Sequence, residues 1–124
     1  MAHEFSTVAI GDVDPTPSAG SGTDHVDLAG ELGCTEMVPK VWYLSPGNAM
    51  SYHRQAEQEE FYLPLDGPGR LRIGDEVHDV PEGTAVRIPP ETPRQVLNDT
   101  GEGLHRWLIV GAPAVEDDGR PVEE

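Results

Sequence analysis

Short runs of β-forming residues, separated by turn residues, fill the chain from residue 37 to residue 111. Eight such runs occur, at 37–45, 50–55, 59–64, 70–73, 76–80, 84–88, 94–98 and 104–111. Glycine, proline, asparagine and aspartate stand between them, and Gly74-Asp75 has the form of a two-residue hairpin loop. Because no run has a helical period over the length of a helix, the pattern predicts an all-β protein, an antiparallel sandwich or barrel.

The N-terminal third has a different pattern. Residues 5–10 alternate weakly and predict a short strand, and residues 12–22 are rich in Asp, Pro, Ser and Gly and predict a long loop without a helix. Residues 26–32 predict one or two helical turns that end at Gly33. We therefore divide the chain into an arm laid across the body (1–36), a β-barrel (37–113) and a charged, flexible tail (114–124).

The charge of the chain is strongly one-sided. There are 23 acidic residues against eight basic ones, of which only Lys40 is a lysine, and the formal net charge is −15. Such a surface repels phosphate backbones and anionic membranes, so neither nucleic acid nor a membrane is an expected partner. Concentrated salt screens the self-repulsion. We interpret the acidity as that of a halophilic protein, the alternative being an ordinary acidic bacterial protein.

Cys34 is the single cysteine, so no internal disulfide is expected. No apolar segment approaches the length of a membrane span, about 20 residues, and a cytoplasmic location is the simplest prediction. Cys34 has no activating neighbour in sequence, which favours a small packed thiol over a nucleophile.

Candidate chemistry is concentrated in residues 46–69, between two turn signals. On a strand, His53 and Gln55 point to the same side, about 7 Å apart. Glu59 and Glu60 follow each other, so only one of them can enter a cavity, and we do not expect them to act as an acid–base pair of carboxylates.

Two motifs lie in this region and after it. In the first, Gly47, His53, Gln55, Glu59 and Gly67 follow the pattern G, five residues, H, one, H, three or four, E, six, G. Gln55 stands where the second histidine is usual, and the closing glycine comes one position late.

In the second motif, Gly83, Pro89, Glu91, Arg94 and Asn98 follow the pattern G, five residues, P, one, G, two, H, three, N. Glu91 stands where glycine is usual and Arg94 where histidine is usual. With these two motifs the chain resembles the cupin superfamily from about residue 38 to 113, and in particular small, uncharacterised haloarchaeal cupin-domain proteins. The resemblance implies a double-stranded β-helix, or jelly-roll barrel, and a homodimer.

In metal-binding cupins three histidines and one glutamate hold the ion, and the resemblance places these positions at His53, Gln55, Glu59 and Arg94. A glutamine amide is a weak ligand, and arginine has no lone pair to give. The substituted set favours a protein that binds a small anionic metabolite through Arg94, Gln55 and His53, with weak or no catalysis and no assigned catalytic residue. Glu59 pairs with Arg94 in a second, compatible interpretation.

The alternative is a metal-dependent isomerase, dioxygenase or lyase, in which His53, Gln55 and Glu59 hold Fe, Mn, Ni or Zn. His105 and Trp107 share one face of the last strand and are further candidates to line the pocket. A solvent-facing or structurally satisfied histidine is the competing interpretation of His105.

Overall fold

Two antiparallel sheets face each other in the computed structural model, which describes residues 3–101 and 103–124. The first sheet has the order β1-β2-β3-β10-β5-β8 and the second the order β11-β4-β9-β6-β7. The strands are β1 (Thr16–Pro17), β2 (Asp24–Asp27), β3 (Val38–Leu44), β4 (His53–Gln55), β5 (Glu59–Pro64), β6 (Gly69–Ile73), β7 (Glu76–Val80), β8 (Val86–Ile88), β9 (Arg94–Leu97), β10 (His105–Ala112) and β11 (Gly119–Pro121).

The central core lies between the two sheets, because alternate residues of each strand point inward. In β10 every second residue from His105 to Gly111 is buried, and β5 buries Tyr62 and Pro64. The apolar core between the sheets consists of Leu44, Met50, Tyr62, Leu71, Val80, Ile88, Val96, Trp107 and Ile109. The prediction of an all-β jelly-roll architecture is confirmed, and Gly74-Asp75 joins β6 to β7 as the sequence predicted.

The N-terminal residues cover the outer face of the first sheet. A 3-10 turn spans Ile10–Asp12 and the helix α1 spans Leu28–Leu32, ending at Gly33 with a φ of +75°. Val26, Leu28 and Val41 form a second, small core there. The predicted helical turn is confirmed, while the strand predicted at 5–10 is wrong, because Val8 and Ile10 pack onto this core without pairing with a strand. The short strands β1 and β2 were missed.

The C-terminal residues also differ from the sequence prediction of a flexible tail. β11 pairs with β4, with Gly119 opposite Gln55 and Pro121 opposite His53. Just before it, the Asp118 carboxylate accepts hydrogen bonds from the body of the protein, which fixes the segment in place. No helix among the described residues is long and apolar enough to cross a membrane.

Candidate functional site

A cavity of about 770 Å³ opens between the two sheets. Its wall comes from β3, β4, β5 and β10, and its rim from the loop before β2 and from residues 114–121. Trp42, Met50, Tyr62 and Ile109 make the apolar part of the wall, while His53, Gln55 and Glu60 are polar residues that line it from the strands.

Glu60 is held at the wall by two neighbours. The Tyr62 hydroxyl donates a hydrogen bond to Glu60 Oε1 at 2.9 Å, and Arg94 Nε lies 3.7 Å from the same oxygen. Only 11% of the Glu60 side chain is exposed. Burial and, next, the charge of Glu60 raise the pKa of Tyr62 well above its usual value, so the phenol stays protonated and acts as a donor.

Arg94 is fully buried, with 0% of its surface exposed. Nη1 donates to the carbonyl oxygen of Pro90 at 3.1 Å and Nη2 to that of Pro89 at 2.9 Å. Because the guanidinium donates to these carbonyls and faces Glu60, it does not form part of the cavity wall. The sequence predicted that Arg94 would offer free donors to an anionic ligand. In the structure its two terminal nitrogens donate to backbone carbonyl groups instead.

Glu59 lies outside the barrel. Its carboxylate accepts a hydrogen bond from Arg87 Nε at 2.5 Å, and both side chains are exposed. The prediction that Glu59 enters the cavity and pairs with Arg94 is wrong, because the alternation of β5 points Glu60 and Tyr62 inward and Glu59 outward. The sequence held a signal for this: Glu60 is the glutamate at the longer of the two spacings that the first motif allows.

His53 and Gln55 both line the cavity, as their alternation predicted. His53 Nδ1 lies 3.0 Å from the carbonyl oxygen of Ser51. Since a carbonyl can only accept, Nδ1 donates, and in the neutral ring Nε2 is then an acceptor. Gln55 Nε2 donates to Gln58 Oε1 at 2.8 Å and to Asp118 Oδ2 at 3.3 Å, so this amide is part of a structural network.

Asp118 is the residue of the site that sequence reasoning missed. Its carboxylate accepts hydrogen bonds from the backbone amides of Glu57 at 3.0 Å and Gln58 at 2.8 Å. Burial opposes its ionisation, but these amides, helped by the charge of Arg120, outweigh burial and hold the pKa of Asp118 below its usual value. No motif or periodicity in the sequence marks this position.

His105 and Trp107 point into the barrel on the shared face that the sequence predicted. Neither forms part of the cavity wall. Both ring nitrogens of His105 and the indole nitrogen of Trp107 are buried without a hydrogen-bond partner among the described residues. Trp107 belongs to the core, where Tyr62 meets its ring edge-on at 6.2 Å between centroids.

A metal ion does not fit the residues of this cavity. Within residues 3–101 and 103–124, no three or more His, Cys, Asp and Glu side chains come together to hold one. Of the predicted ligand positions, His53 alone offers a strong ligand atom, Glu60 replaces Glu59, and the Arg94 cation stands beside Glu60. We therefore derive no step through a metal.

Comparison with known proteins places the fold. A family model described as a cupin domain matches residues 40–111. The polyketide cyclase RemF from Streptomyces resistomycificus is 24% identical, with a TM-score of 0.83 over 98% of this chain and 87% of that chain. A sugar phosphate isomerase from Silicibacter pomeroyi is 19% identical, with a TM-score of 0.78 over 88% of this chain and 76% of that chain. At these identities the structural likeness shows the fold alone.

A curated relative adds a sequence match. An uncharacterized protein of Methanocaldococcus jannaschii is 33% identical over 52 residues, which are 42% of this chain and 42% of that protein. The match thus spans less than half of the relative.

Proposed function

This chain belongs to the cupin domain family, and from that premise we propose that its barrel binds a small, uncharged molecule that carries hydroxyl groups on an apolar skeleton. The sequence predicted a protein that binds a small anionic molecule. The proposal keeps the binding of a small molecule but makes that molecule uncharged. The apolar wall of Trp42, Met50 and Ile109 takes the skeleton, and acceptors on the two sheets take the hydroxyl groups.

Glu60 is the observation that carries the proposal. Both of its described partners, Tyr62 and Arg94, contact the same oxygen, Oε1. The side chain forms part of the cavity wall, which makes the second oxygen, Oε2, available to a ligand donor. His53 Nε2, on the other sheet, provides a second acceptor. A ligand with two donors, such as a diol or a diphenol, satisfies both.

The charges around the cavity argue against an anionic ligand. Two cationic side chains line it, Lys40 and Arg120, against five carboxylates: Asp27, Glu60, Glu116, Asp117 and Asp118. Arg94, on which the expectation of an anionic ligand rested, is neutralised by Glu60 and donates to carbonyl groups. An anion entering here would face net repulsion, without the Arg94 guanidinium to receive it.

The two named structural neighbours suggest contrasting ligands to compare. One is a sugar phosphate isomerase and the other a polyketide cyclase. A phosphate ester would meet the acidic rim, whereas a polyketide skeleton can be uncharged and can bear hydroxyl groups. The cavity described above favours the second kind of ligand.

Thermal denaturation in molar salt tests the proposal with compounds matched in skeleton and different in charge. The first pair is 2,7-dihydroxynaphthalene and 2-naphthoate, and the second is glucose and glucose 6-phosphate. We expect the neutral member of each pair to stabilise more than the anion. A ligand at ten times its dissociation constant stabilises by about 1.4 kcal/mol, which raises the melting temperature by roughly 3–6 °C for a chain of this size.

E60Q should remove most of the shift, while E59Q, which changes the neighbouring carboxylate outside the barrel, should keep it. Each shift is measured against the same variant without ligand. If E60Q alone is too unstable because Arg94 loses its counter-ion, the double variant E60Q/R94M removes both charges. Greater stabilisation by the anions, or an unchanged shift in folded E60Q or E60Q/R94M, would count against the proposal.

A further inference from the structure

We propose that the Arg94 guanidinium is a built-in cation that occupies the place of a metal ion beside Glu60, and that the single substitution R94H opens a divalent-cation site there. The inference concerns the interior of the barrel and holds whichever organic ligand the cavity takes. Its basis is the position of Arg94 relative to His53 and Glu60.

His53 and Arg94 are direct partners across β4 and β9. Side chains of directly opposed residues on antiparallel strands lie on the same face, so both point toward the barrel interior. Glu60 reaches the same place from β5 in the facing sheet. Three side chains from three strands thus converge, and the positive charge among them is the guanidinium of Arg94.

The guanidinium is fixed in this place by the protein itself. Its two terminal nitrogens donate to the carbonyl oxygens of Pro89 and Pro90, and the whole side chain is buried. Nε has no hydrogen-bond partner among the described residues, and it faces Glu60 Oε1 across 3.7 Å. A buried carboxylate requires a counter-charge, and here Arg94 supplies it, so a second cation at the same point would be repelled.

The geometry also explains why histidine is the informative replacement. Nε2 of histidine lies three bonds beyond Cβ, as Nε of arginine does. Ligand atoms on a tetrahedral zinc ion, with bonds of about 2.0–2.2 Å, are about 3.4 Å from one another. The present 3.7 Å between Arg94 Nε and Glu60 Oε1 is close to that separation. An imidazole introduced at position 94 would therefore join His53 and Glu60 as a third ligand.

The experiment measures Zn²⁺ alone, by calorimetric titration and by metal analysis after dialysis, on untagged protein stripped with a chelator and kept in molar salt at pH 7.5. The variants are wild type, H53A, R94H, R94H/H53A, R94H/E60Q and R94H/E59Q. The last is the matched control, because Glu59 neighbours Glu60 but pairs with Arg87 outside the barrel. Circular dichroism establishes that each variant is folded.

We expect wild type to bind Zn²⁺ at least about 100-fold more weakly than R94H, which should retain one ion per chain. R94H/H53A and R94H/E60Q should lose that ion, and R94H/E59Q should keep it. If R94H does not fold, R94Q replaces it, and removal of the positive charge alone should tighten Zn²⁺ binding at least tenfold. The proposal is overturned if wild type retains one ion that H53A removes, or if folded R94H, or R94Q in its place, gains no affinity.

Discussion

Replacing Asp118 with asparagine tests whether a single carboxylate holds the C-terminal strand on the barrel. The carboxylate accepts from the amides of Glu57 and Gln58, and Gln55 Nε2 lies 3.3 Å from Oδ2. Asparagine has the same shape but turns one of the two oxygens into an amino group. The amino group can take the place of Oδ1, where it faces the amide of Glu57, which also lies 3.0 Å from Oδ2. The amides of Glu57 and Gln58 then donate to a neutral oxygen in place of a carboxylate.

The expected cost follows from these contacts. A hydrogen bond to a charged group contributes about 1.5–3 kcal/mol and one to a neutral group about 0.5–1.5 kcal/mol, so each of the two backbone amides loses about 1 kcal/mol. We therefore expect D118N to lower the free energy of unfolding by about 2 kcal/mol, a large part of the total of about 5–15 kcal/mol for a typical protein. With a urea slope of about 1.5 kcal/mol per molar, the midpoint should fall by about 1.3 M.

Urea denaturation of wild type, D118N and D117N, all in the same molar salt, measures this effect. D117N is the control, because Asp117 has a φ of 51°, a conformation that asparagine also tolerates. Hydrogen exchange should show faster exchange at the amides of Glu57 and Gln58 in D118N. A loss below about 0.5 kcal/mol, or equal losses in both variants, would refute the role assigned to Asp118.

The same carboxylate predicts a dependence on pH. The pKa of Asp118 is lower in the folded protein than its unfolded value, about 3.9 for an aspartate. Its contribution is therefore complete above the unfolded pKa and is lost as the pH falls through the folded pKa. The stability difference between wild type and D118N should be constant from about pH 8 to 5 and should shrink below about pH 4. A difference that shrinks toward alkaline pH would contradict this.

Three further substitutions, each measured by urea denaturation, test other contacts. G69A should lower the free energy of unfolding by about 2–4 kcal/mol, because a Cβ there would lie 2.6 Å from an indole carbon of Trp107 and 2.8 Å from the backbone oxygen of Val80. G20A is the control: a Cβ at Gly20 meets open space, so the loss should be less than about 0.5 kcal/mol. R94M should cost about 3–5 kcal/mol by leaving Glu60 without its cation, and E60Q in the same chain should recover most of it. E59Q should change stability by less than about 1 kcal/mol, as expected for an exposed ion pair.

The sequence predicted the strands of the barrel from β-forming residues bounded by turn residues, and in β10 alternating burial agrees with that prediction. The prediction failed where these signals are missing. The segment Gly119–Pro121 is exposed throughout and has no alternation, so nothing marked it as a strand. It is held by pairing with β4 and by the Asp118 carboxylate, which are tertiary contacts. Val8 and Ile10, in contrast, alternate as a strand would, but they pack as part of the arm.

The candidate site was predicted in position but not in detail. The alternation of His53 and Gln55 correctly placed both at the cavity. The sequence prediction placed Glu59 at the cavity, whereas the structure has Glu60 there. The motif spacing allows either glutamate, and only the register of β5 decides which one faces inward. The partners of Arg94 could not be predicted from the sequence either, since two of them are backbone carbonyl groups, which the sequence does not identify.

The substituted motif positions and the C-terminal strand together determine which polar groups remain for a ligand. Gln55 stands where a histidine is usual, and its amide nitrogen is engaged by Gln58 and Asp118. Arg94 stands where another histidine is usual, and its terminal nitrogens donate to carbonyl groups. Each of these side chains therefore fixes the barrel, and in the function proposed above ligand recognition falls to Glu60 and His53. Because facing sheets lie about 10 Å apart, a molecule of one or two rings can reach both acceptors at once.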